Sequence, residues 1–132
     1  MSALMREKAG ELAQTILVVD DFDDTRLMMR LWLQKRGYRV IEAADGVEAV
    51  EVARRESPHL VIMDIEMPLM DGLTATRRIR EEAALRNTPI VAVSAYGAEH
   101  WRDRALEAGC NEYVSTPFDP KELNELIKSL IK

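Results

Sequence analysis

The chain has 132 residues, of which 47% are hydrophobic and 31% are charged, and its formal net charge is −5. This length suits one domain with a single core, and the composition is typical of globular proteins and not of disordered ones. The acidic balance argues against nucleic acid as a direct partner, because nucleic-acid binding needs a basic surface, and no apolar run approaches the ~20 residues that would span a membrane.

The first residues carry no targeting signal. Residues 1–14 lack the apolar centre and the small-residue cleavage site of a signal peptide, and they precede the first periodic segment. We therefore expect an N-terminal lead-in over 1–14 and one domain over 15–132, in the cytoplasm. The single cysteine, Cys110, cannot form an internal disulfide and is predicted to be a small buried or half-buried apolar residue.

Five short apolar segments alternate with longer amphipathic ones. The strand candidates are, in chain order, ILVVD (16–20), RVIEA (39–43), LVIMD (60–64), IVAVS (90–94) and EYVS (112–115). The helix candidates lie at about 23–36, 46–56, 73–85, 98–108 and 120–131. Three of the strands are continuously apolar and rich in valine and isoleucine, which is typical of strands covered on both faces. The alternation predicts an α/β fold with a parallel sheet and helices on both of its faces.

The first and last helix candidates differ in the width of their apolar faces. In the last one, the apolar residues recur on one face, at Leu123, Leu126, Ile127 and Leu130. In the first, six apolar residues sweep an arc of roughly 240°, which is wider than packing on one sheet needs. These six residues are Leu27, Met28, Met29, Leu31, Trp32 and Leu33. We expect Leu27 and Leu31 to be exposed at one edge and the other four to fill the core.

The residues with polar, chemically useful side chains gather at the strand ends. Asp20 and Asp21 follow the first strand, Asp64 ends the third, Ser94 ends the fourth, and Thr116 follows the fifth. Ligands of open parallel sheets bind outside the carboxyl ends of the strands, so these side chains are expected to share one rim. Carboxylates at close range repel, by about 4 kcal/mol per pair at ~4 Å in an effective dielectric of ~20, and a cation relieves that repulsion. Oxygen ligands completed by water suit Mg²⁺.

Each of these residues also has an ordinary structural explanation. Asp20 and Asp21 could cap the helix that follows them, Asp64 could be a turn residue, and Ser94 could cap a helix. The predicted topology nevertheless sends all of them to one rim, and this shared location favours a functional site.

Four segments give the chain a family resemblance from about residue 15 to 131. They are VVDD (18–21), MDIEMPLMDG (63–72), the pair Ser94-Ala95 and YVSTPF (113–118). With these segments the chain resembles the receiver domain of bacterial response regulators, the phosphate-accepting part of two-component signalling. The resemblance implies a flavodoxin-like (βα)5 fold, a doubly wound parallel sheet with strand order 2-1-3-4-5, and two helices on one face of the sheet with three on the other.

The resemblance also implies roles for the acidic residues. Asp64 would accept the phosphoryl group, and Asp20, Asp21 and Asp64 would bind Mg²⁺ together with the backbone carbonyl of Glu66. These roles agree with the chemistry, because a carboxylate attacks phosphorus only where a cation neutralises the incoming charge.

The remaining roles lie on the last two strands. The resemblance implies that Ser94 bonds the phosphoryl group and that Tyr113 is the aromatic residue that changes rotamer on activation. At the position of the family's lysine, however, this chain has Thr116, which offers one neutral hydrogen bond in place of a charge-assisted one. We expect the Thr116–Pro117 bond to be cis and the threonine hydroxyl to be directed at the carboxylates. Whether this threonine is natural or engineered is open at the level of sequence.

The resemblance implies a histidine kinase or a histidine phosphotransfer protein as the partner. No output domain is expected within the chain, so its function would lie in docking, either as a single-domain regulator or as the receiver of a hybrid kinase, and as a monomer or weak dimer. The exposed pair Leu27 and Leu31 is the candidate docking surface, unless residues 1–14 cover it.

The leading hypothesis is a phosphate-accepting receiver that is not an enzyme in its own right. Two other functions remain open. The first is a degenerate receiver that binds partners without being phosphorylated, which the threonine at position 116 would suit. The second is a phosphatase of the haloacid-dehalogenase type, which would need a second aspartate where this chain has Glu66.

Overall fold

The computed structural model describes residues 13–95 and 101–131. The strands are β1 (Thr15–Val19), β2 (Arg39–Ala43), β3 (Leu60–Asp64), β4 (Ile90–Ser94) and β5 (Glu112–Ser115). The helices are α1 (Asp23–Lys35), α2 (Gly46–Glu56), α3 (Gly72–Glu81), α4 (Trp101–Ala108) and α5 (Pro120–Leu130). A short 3₁₀ turn, Ala83–Leu85, follows α3.

The strands form one parallel sheet in the order β2-β1-β3-β4-β5, as expected from the resemblance. Val19 at the end of β1 pairs with Met63, and Asp64 at the end of β3 pairs with Val93. Ser94 at the end of β4 in turn pairs with Ser115. This register brings the carboxyl ends of β1, β3, β4 and β5 to one rim, and the polar residues of all four strand ends meet there.

Helices cover both faces of the sheet, two on one side and three on the other, which confirms the predicted layering. The face packed by α1 and α5 buries Leu33, Leu123 and Ile127 against alternate residues of β1, β3 and β4. The opposite face, packed by α2, α3 and α4, buries a larger cluster that includes the alanines of α2 and α4. The central strands β1, β3 and β4 are therefore apolar on both sides, which is why they read as unbroken apolar runs.

The single cysteine is buried, as predicted. Cys110 lies at the start of the turn before β5, in the cluster beneath α3 and α4, and its sulfur is 3.7 Å from the Thr76 hydroxyl oxygen. Burial raises the pKa of this thiol.

The prediction that Met28 fills the core is wrong. Met28 is 70% exposed, whereas Leu33 is fully buried and Met29 and Trp32 pack partly against the core. At 100° per residue Met28 falls at the edge of the stripe centred on Met29, Trp32 and Leu33, so the core-facing arc is narrower than the apolar arc of the sequence. Leu27 and Leu31 are exposed, as expected.

The helix predicted over 73–85 is also shorter than expected. The regular helix α3 ends at Glu81, and Glu82 has an extended backbone with φ −79° and ψ 121°. Arg80 explains the break, because its guanidinium donates hydrogen bonds to the carbonyl oxygens of Leu85, Arg86 and Thr88. These bonds require the chain to fold back after the helix.

Parts of two predictions lie outside the described residues. They are residues 1–12 of the N-terminal lead-in and the start of the helix expected at 98–108. Among the helices of the described ranges, none has the length and apolarity needed to cross a membrane.

Candidate functional site

Three carboxylates meet at the carboxyl end of the sheet. Asp20 and Asp21 follow β1, and Asp64 is the last residue of the adjacent strand β3. Each of the three offers an oxygen, and these oxygens all lie within 4.8 Å of one another. The structure thus brings together the three acidic residues that the sequence predicted to share a site.

Hydrogen bonds to the backbone hold the loop that carries the first two carboxylates. The Phe22 N–H donates to Asp20 Oδ1 at 2.9 Å. Arg26 Nη1 donates to the carbonyl oxygen of Asp20 at 2.8 Å, and the same guanidinium bonds the carboxylates of Asp23 on α1 and Glu42 on β2. Arg26 therefore ties the loop after β1 to its own helix and to the neighbouring strand.

The alternative explanation of Asp20 and Asp21 as helix caps is wrong. The N-cap of α1 is Phe22, which makes no side-chain capping bond. Helices α2 and α3, by contrast, have aspartate caps at Asp45 and Asp71, whose side chains accept from the third backbone N–H that follows. The two acidic side chains after β1 are not used to begin the helix, so they remain available to a ligand.

A close backbone contact fixes the position of Asp64. A Cβ atom on Gly72, the first residue of α3, would collide with the carbonyl oxygen of Asp64, so only glycine lets the helix begin this near the strand end. The Gly72 N–H also donates to the carbonyl of Ile65 at 2.9 Å. The motif MDG thereby packs the start of α3 against the acidic site.

The electrostatics of the cluster are those of a site that lacks a counter-charge. Partial burial and, after it, the charges of Asp20 and Asp21 together raise the pKa of Asp64 to about 7, against a lowering hydrogen bond from the Glu66 backbone. Burial also raises the pKa of Asp20, which the Phe22 backbone bond partly offsets. Three oxygens on a partly wet rim are the donor set that Mg²⁺ accepts in proteins, since it keeps several waters and takes few carboxylates.

Ser94 and Tyr113 lie on the neighbouring strands β4 and β5. Ser94 is buried at the end of β4, and its hydroxyl donates to the Glu66 carboxylate at 3.5 Å. Tyr113 on β5 is buried in the core beneath α4, with the Arg102 guanidinium 5.7 Å from the centre of its ring. The tyrosine therefore occupies the inward position in this structure.

The peptide bond between Thr116 and Pro117 is cis, as predicted. The threonine hydroxyl, however, donates to the backbone carbonyl of Ser94 at 3.2 Å, and the Thr116 N–H donates to that same oxygen at 2.8 Å. The expectation that this hydroxyl is directed at the carboxylates is therefore wrong. A short side chain on β5 reaches the adjacent end of β4 before it reaches β3, which lies one strand further away.

The family of the chain follows from comparison with known proteins. Residues 16–128 match the model of the response regulator receiver domain. The chain belongs to this family. Receiver domains are signalling modules of two-component systems, where they interact with histidine kinases or phosphotransfer proteins.

Relatives with this receiver occur both alone and within longer proteins. The polar-differentiation response regulator DivK of Brucella ovis is 30% identical over 120 residues, which cover 91% of this chain and 98% of DivK. A 14.6 kDa protein of Leptolyngbya boryana is 41% identical, with 86% of each chain covered. The transcriptional regulator ycf27 of Cyanophora paradoxa is 40% identical, but this chain spans only 48% of its length.

Solved structures show the same receiver architecture. The receiver domain of a sensor histidine kinase from Pseudomonas aeruginosa is 36% identical with a TM-score of 0.83, and 90% of this chain and 98% of that chain are covered. The structure of that domain has a magnesium ion coordinated in the active site cleft. The chemotaxis response regulator CheY4 of Vibrio cholerae is 28% identical with a TM-score of 0.82, and 89% of this chain and 98% of that chain are covered.

An open cleft of about 300 Å³ lies over the acidic residues of this receiver. Four carboxylates line it, those of Asp20, Asp21, Asp64 and Glu66, and within the described part of the chain no lysine, arginine or histidine does. Its other walls include Val18, Ile62, Val93, Met29 and Phe118. The cleft thus has both acidic and apolar walls.

Two features of the receiver site escaped the sequence reasoning. The first is Arg26, which belongs to none of the sequence motifs. It holds the loop after β1 partly through its bond to Glu42, sixteen residues away on β2. The second is an apolar groove of about 270 Å³ beside the cleft, lined by Thr25, Met28, Met29, Trp32, Phe118 and Pro120. Because the sequence pattern assigned Met28 to the core, it offered no signal for this groove.

Proposed function

We propose that this receiver accepts a phosphoryl group on Asp64 from a phosphohistidine of a histidine kinase or histidine phosphotransfer protein, with Mg²⁺ as cofactor. The observation that supports the proposal is the meeting of Asp20, Asp21 and Asp64 oxygens within 4.8 Å at the end of a parallel sheet. The receiver fold alone would not carry it, because function resides in the site.

Asp64 is the nucleophile of the proposed reaction. One of its carboxylate oxygens forms the new bond to phosphorus while the phosphorus–nitrogen bond of the phosphohistidine breaks and the imidazole leaves. The close approach of Gly72 to the Asp64 backbone carbonyl and the hydrogen bond from the Glu66 N–H to the carboxylate would hold Asp64 at the rim, where an in-line donor could approach it. The catalysis is then mainly positioning and charge neutralisation.

The residues at the rim fit the proposed metal. Asp20, Asp21 and Asp64 would hold Mg²⁺ through carboxylate oxygens, and the Glu66 backbone carbonyl would supply a further oxygen. When bound, the ion neutralises charge on the phosphoryl oxygens and keeps Asp64 ionised near neutral pH, where it is otherwise partly protonated.

The proposed response to phosphorylation involves β4 and β5. A phosphoryl group adds roughly −1.5 to −2 charge and acceptor oxygens, toward which the Ser94 hydroxyl would turn from Glu66. Tyr113 on the next strand would then change rotamer. Thr116 supplies no positive charge to this step, and its hydroxyl is bound to the Ser94 carbonyl, so Ser94 and the metal would carry the signal.

The proposed docking surface is the exposed side of α1. Leu27 and Leu31 are 41% and 49% exposed, one helical turn apart. We propose that they contact the phosphodonor protein, that the receiver acts as a monomer or weak dimer in the cytoplasm, and that its domain spans 15–132 with 1–14 as a lead-in.

Incubation with Mg²⁺ and acetyl phosphate, followed by intact-mass measurement, tests the proposal. We expect one phosphoryl adduct that is lost in Asp64→Asn and retained in Asp103→Asn, a matched change at an exposed carboxylate of α4. An adduct that survives Asp64→Asn would assign the phosphoryl group to another residue. The absence of any adduct, also with a histidine phosphodonor protein, would favour the degenerate receiver.

The degenerate receiver remains a second candidate because of one observation. In the described residues no cationic side chain lines the cleft, so the phosphorylated state would have less charge compensation than the family's lysine provides. A receiver of this kind would bind its partner equally well in its native form and as Asp64→Asn, which a binding comparison with and without phosphodonor distinguishes.

A further inference from the structure

The acidic cleft and the apolar groove lie next to each other. The two cavities, about 300 Å³ and about 270 Å³ in volume, share the side chains of Thr25, Met29 and Phe118 in their walls. The route from the carboxylates of Asp20 and Asp64 to the exposed edge of α1 therefore passes over these shared side chains. A ligand that follows this path would meet negative charge at one end and apolar surface at the other.

The charge in the cleft is not balanced by the described part of the chain. Four carboxylates line the cleft, and its described lining has no cation. Arg26 bonds this region, but it contacts the Asp20 backbone and is otherwise committed to Asp23 and Glu42. A divalent ion would compensate for two of the four negative charges, and a phosphoryl group on Asp64 would again add negative charge. The cleft thus has room and charge for one more cation.

The shape of the walls selects the kind of cation. Val18, Ile62, Val93, Met29 and Phe118 surround the approach to the carboxylates. A lysine matches this environment, because its methylene stem packs along apolar surface while its ammonium group stays among charged or wet groups.

The groove next to the cleft suits the residues that flank such a lysine. Met28 is largely exposed, and Trp32, Phe118 and Pro120 complete an apolar surface about the size of one or two large side chains. Exposed apolar surface with a strongly charged neighbour is characteristic of recognition sites. The expected occupant is therefore a segment with apolar side chains beside one lysine.

We propose that the cleft receives a lysine side chain of the partner protein, whose ammonium group lies beside the carboxylates near Thr116, while adjacent apolar residues of the same segment fill the groove. The proposal rests on the proposed function, because the partner that reaches Asp64 must cover this cleft. In this proposal the site is complete only in the complex, because the partner supplies both the phosphoryl group and the cation that stabilises that group.

A pair of peptides tests the proposal on the unphosphorylated chain with Mg²⁺ present. One is a short amphipathic helical peptide with leucine and a single lysine at i and i+4, and its control has norleucine in place of the lysine. We expect the lysine peptide to shift the amide resonances of Ser94, Thr116 and Phe118 and to bind at least about tenfold more tightly than the control. Such a ratio is what one charge-assisted contact provides.

Three variants locate the peptide. Thr116→Lys places an ammonium in the cleft from within the chain, so we expect it to weaken the lysine peptide at least about tenfold and to leave the control peptide unchanged. Met28→Ser removes an exposed wall of the groove and should weaken both peptides several-fold. Leu106→Ser, at a similarly exposed leucine on α4 across the sheet, should change neither.

Equal binding of the lysine and norleucine peptides would overturn the proposal, and so would equal binding of the lysine peptide to the native chain and Thr116→Lys. A lysine peptide that shifts no cleft residue would overturn it as well. None of these measurements uses a phosphodonor, so their failure leaves phosphorylation of Asp64 to be decided by the mass measurement, and a missing adduct leaves the binding result intact.

Discussion

At the scale of single residues, the site depends on side chains that do not touch the ligand. Arg26 is the clearest example, because its guanidinium bonds the carbonyl of Asp20 and the carboxylates of Asp23 and Glu42 at the same time. We expect Arg26→Gln to weaken Mg²⁺ binding about tenfold, the lower end of the loss that is typical when a residue that orients a metal ligand is lost. The measurement is a Mg²⁺ titration followed by amide shifts. Arg30→Gln is the control, since Arg30 bonds Glu42 but not Asp20; equal losses in both variants would contradict a positioning role.

A glycine controls the site through space and not through charge. In Gly72→Ala the new Cβ would meet the carbonyl of Asp64, so we expect a loss of about 1–3 kcal/mol in the free energy of unfolding, as for other overpacked sites. Gly37→Ala has open space around the new atom and is strained only by its φ of +93°, so it should lose about 1 kcal/mol. Urea denaturation measures both. If the losses are equal and Mg²⁺ affinity is unchanged in Gly72→Ala, the contact with Asp64 does not position the acidic site.

At the scale of elements, periodicity predicted the strands and helices well because each has one dominant cause. The central strands are buried on both faces and read as apolar runs, and α5 presents one regular stripe. The end of α3 could not be predicted, because it depends on Arg80 bonding three carbonyls further along the chain. The exposure of Met28 was missed for a related reason, since the sequence shows an apolar arc but not how much of it the sheet covers.

The pair β4 and β5 is the element on which Thr116 acts. The backbone N–H and the hydroxyl of Thr116 both donate to the Ser94 carbonyl, so Thr116 joins the two strand ends without contributing charge. We expect Thr116→Lys to strengthen the coupling between phosphorylation and β5, because an ammonium beside the phosphoryl oxygens adds a charge-assisted bond. Larger phosphorylation-dependent amide shifts around Tyr113 in the variant would show this. Full shifts already in the native chain would mean that Ser94 and the metal suffice.

At the scale of the whole molecule, parallel topology explains why the acidic site was predictable and its surroundings were not. Every strand ends at the same rim, so Asp20, Asp21 and Asp64 could be placed together from their positions in the sequence alone. The groove between α1 and Phe118 depends instead on how far a helix and a loop stand apart. That spacing is a result of packing across the entire domain, and no short segment of the sequence encodes it.

The acidic site also sets how the stability of the molecule depends on pH. The folded state raises the pKa of Asp64 to about 7, from its ordinary value of 3.8, so between these limits the native protein binds more protons than the unfolded chain. The contribution of Asp64 to stability is therefore neutral at lower pH and becomes unfavourable as pH rises toward 7. In urea denaturation without Mg²⁺ at about pH 8, we expect the free energy of unfolding of Asp64→Asn to exceed that of the native chain by about 1–2 kcal/mol, after allowance for solvent screening. At about pH 4 we expect the two proteins to have the same free energy of unfolding. With Mg²⁺ the order should reverse, because the ion stabilises the carboxylate and the amide binds it more weakly. A stability difference that stays constant across this pH range would show that the carboxyl group of Asp64 does not titrate as the acidic cluster requires.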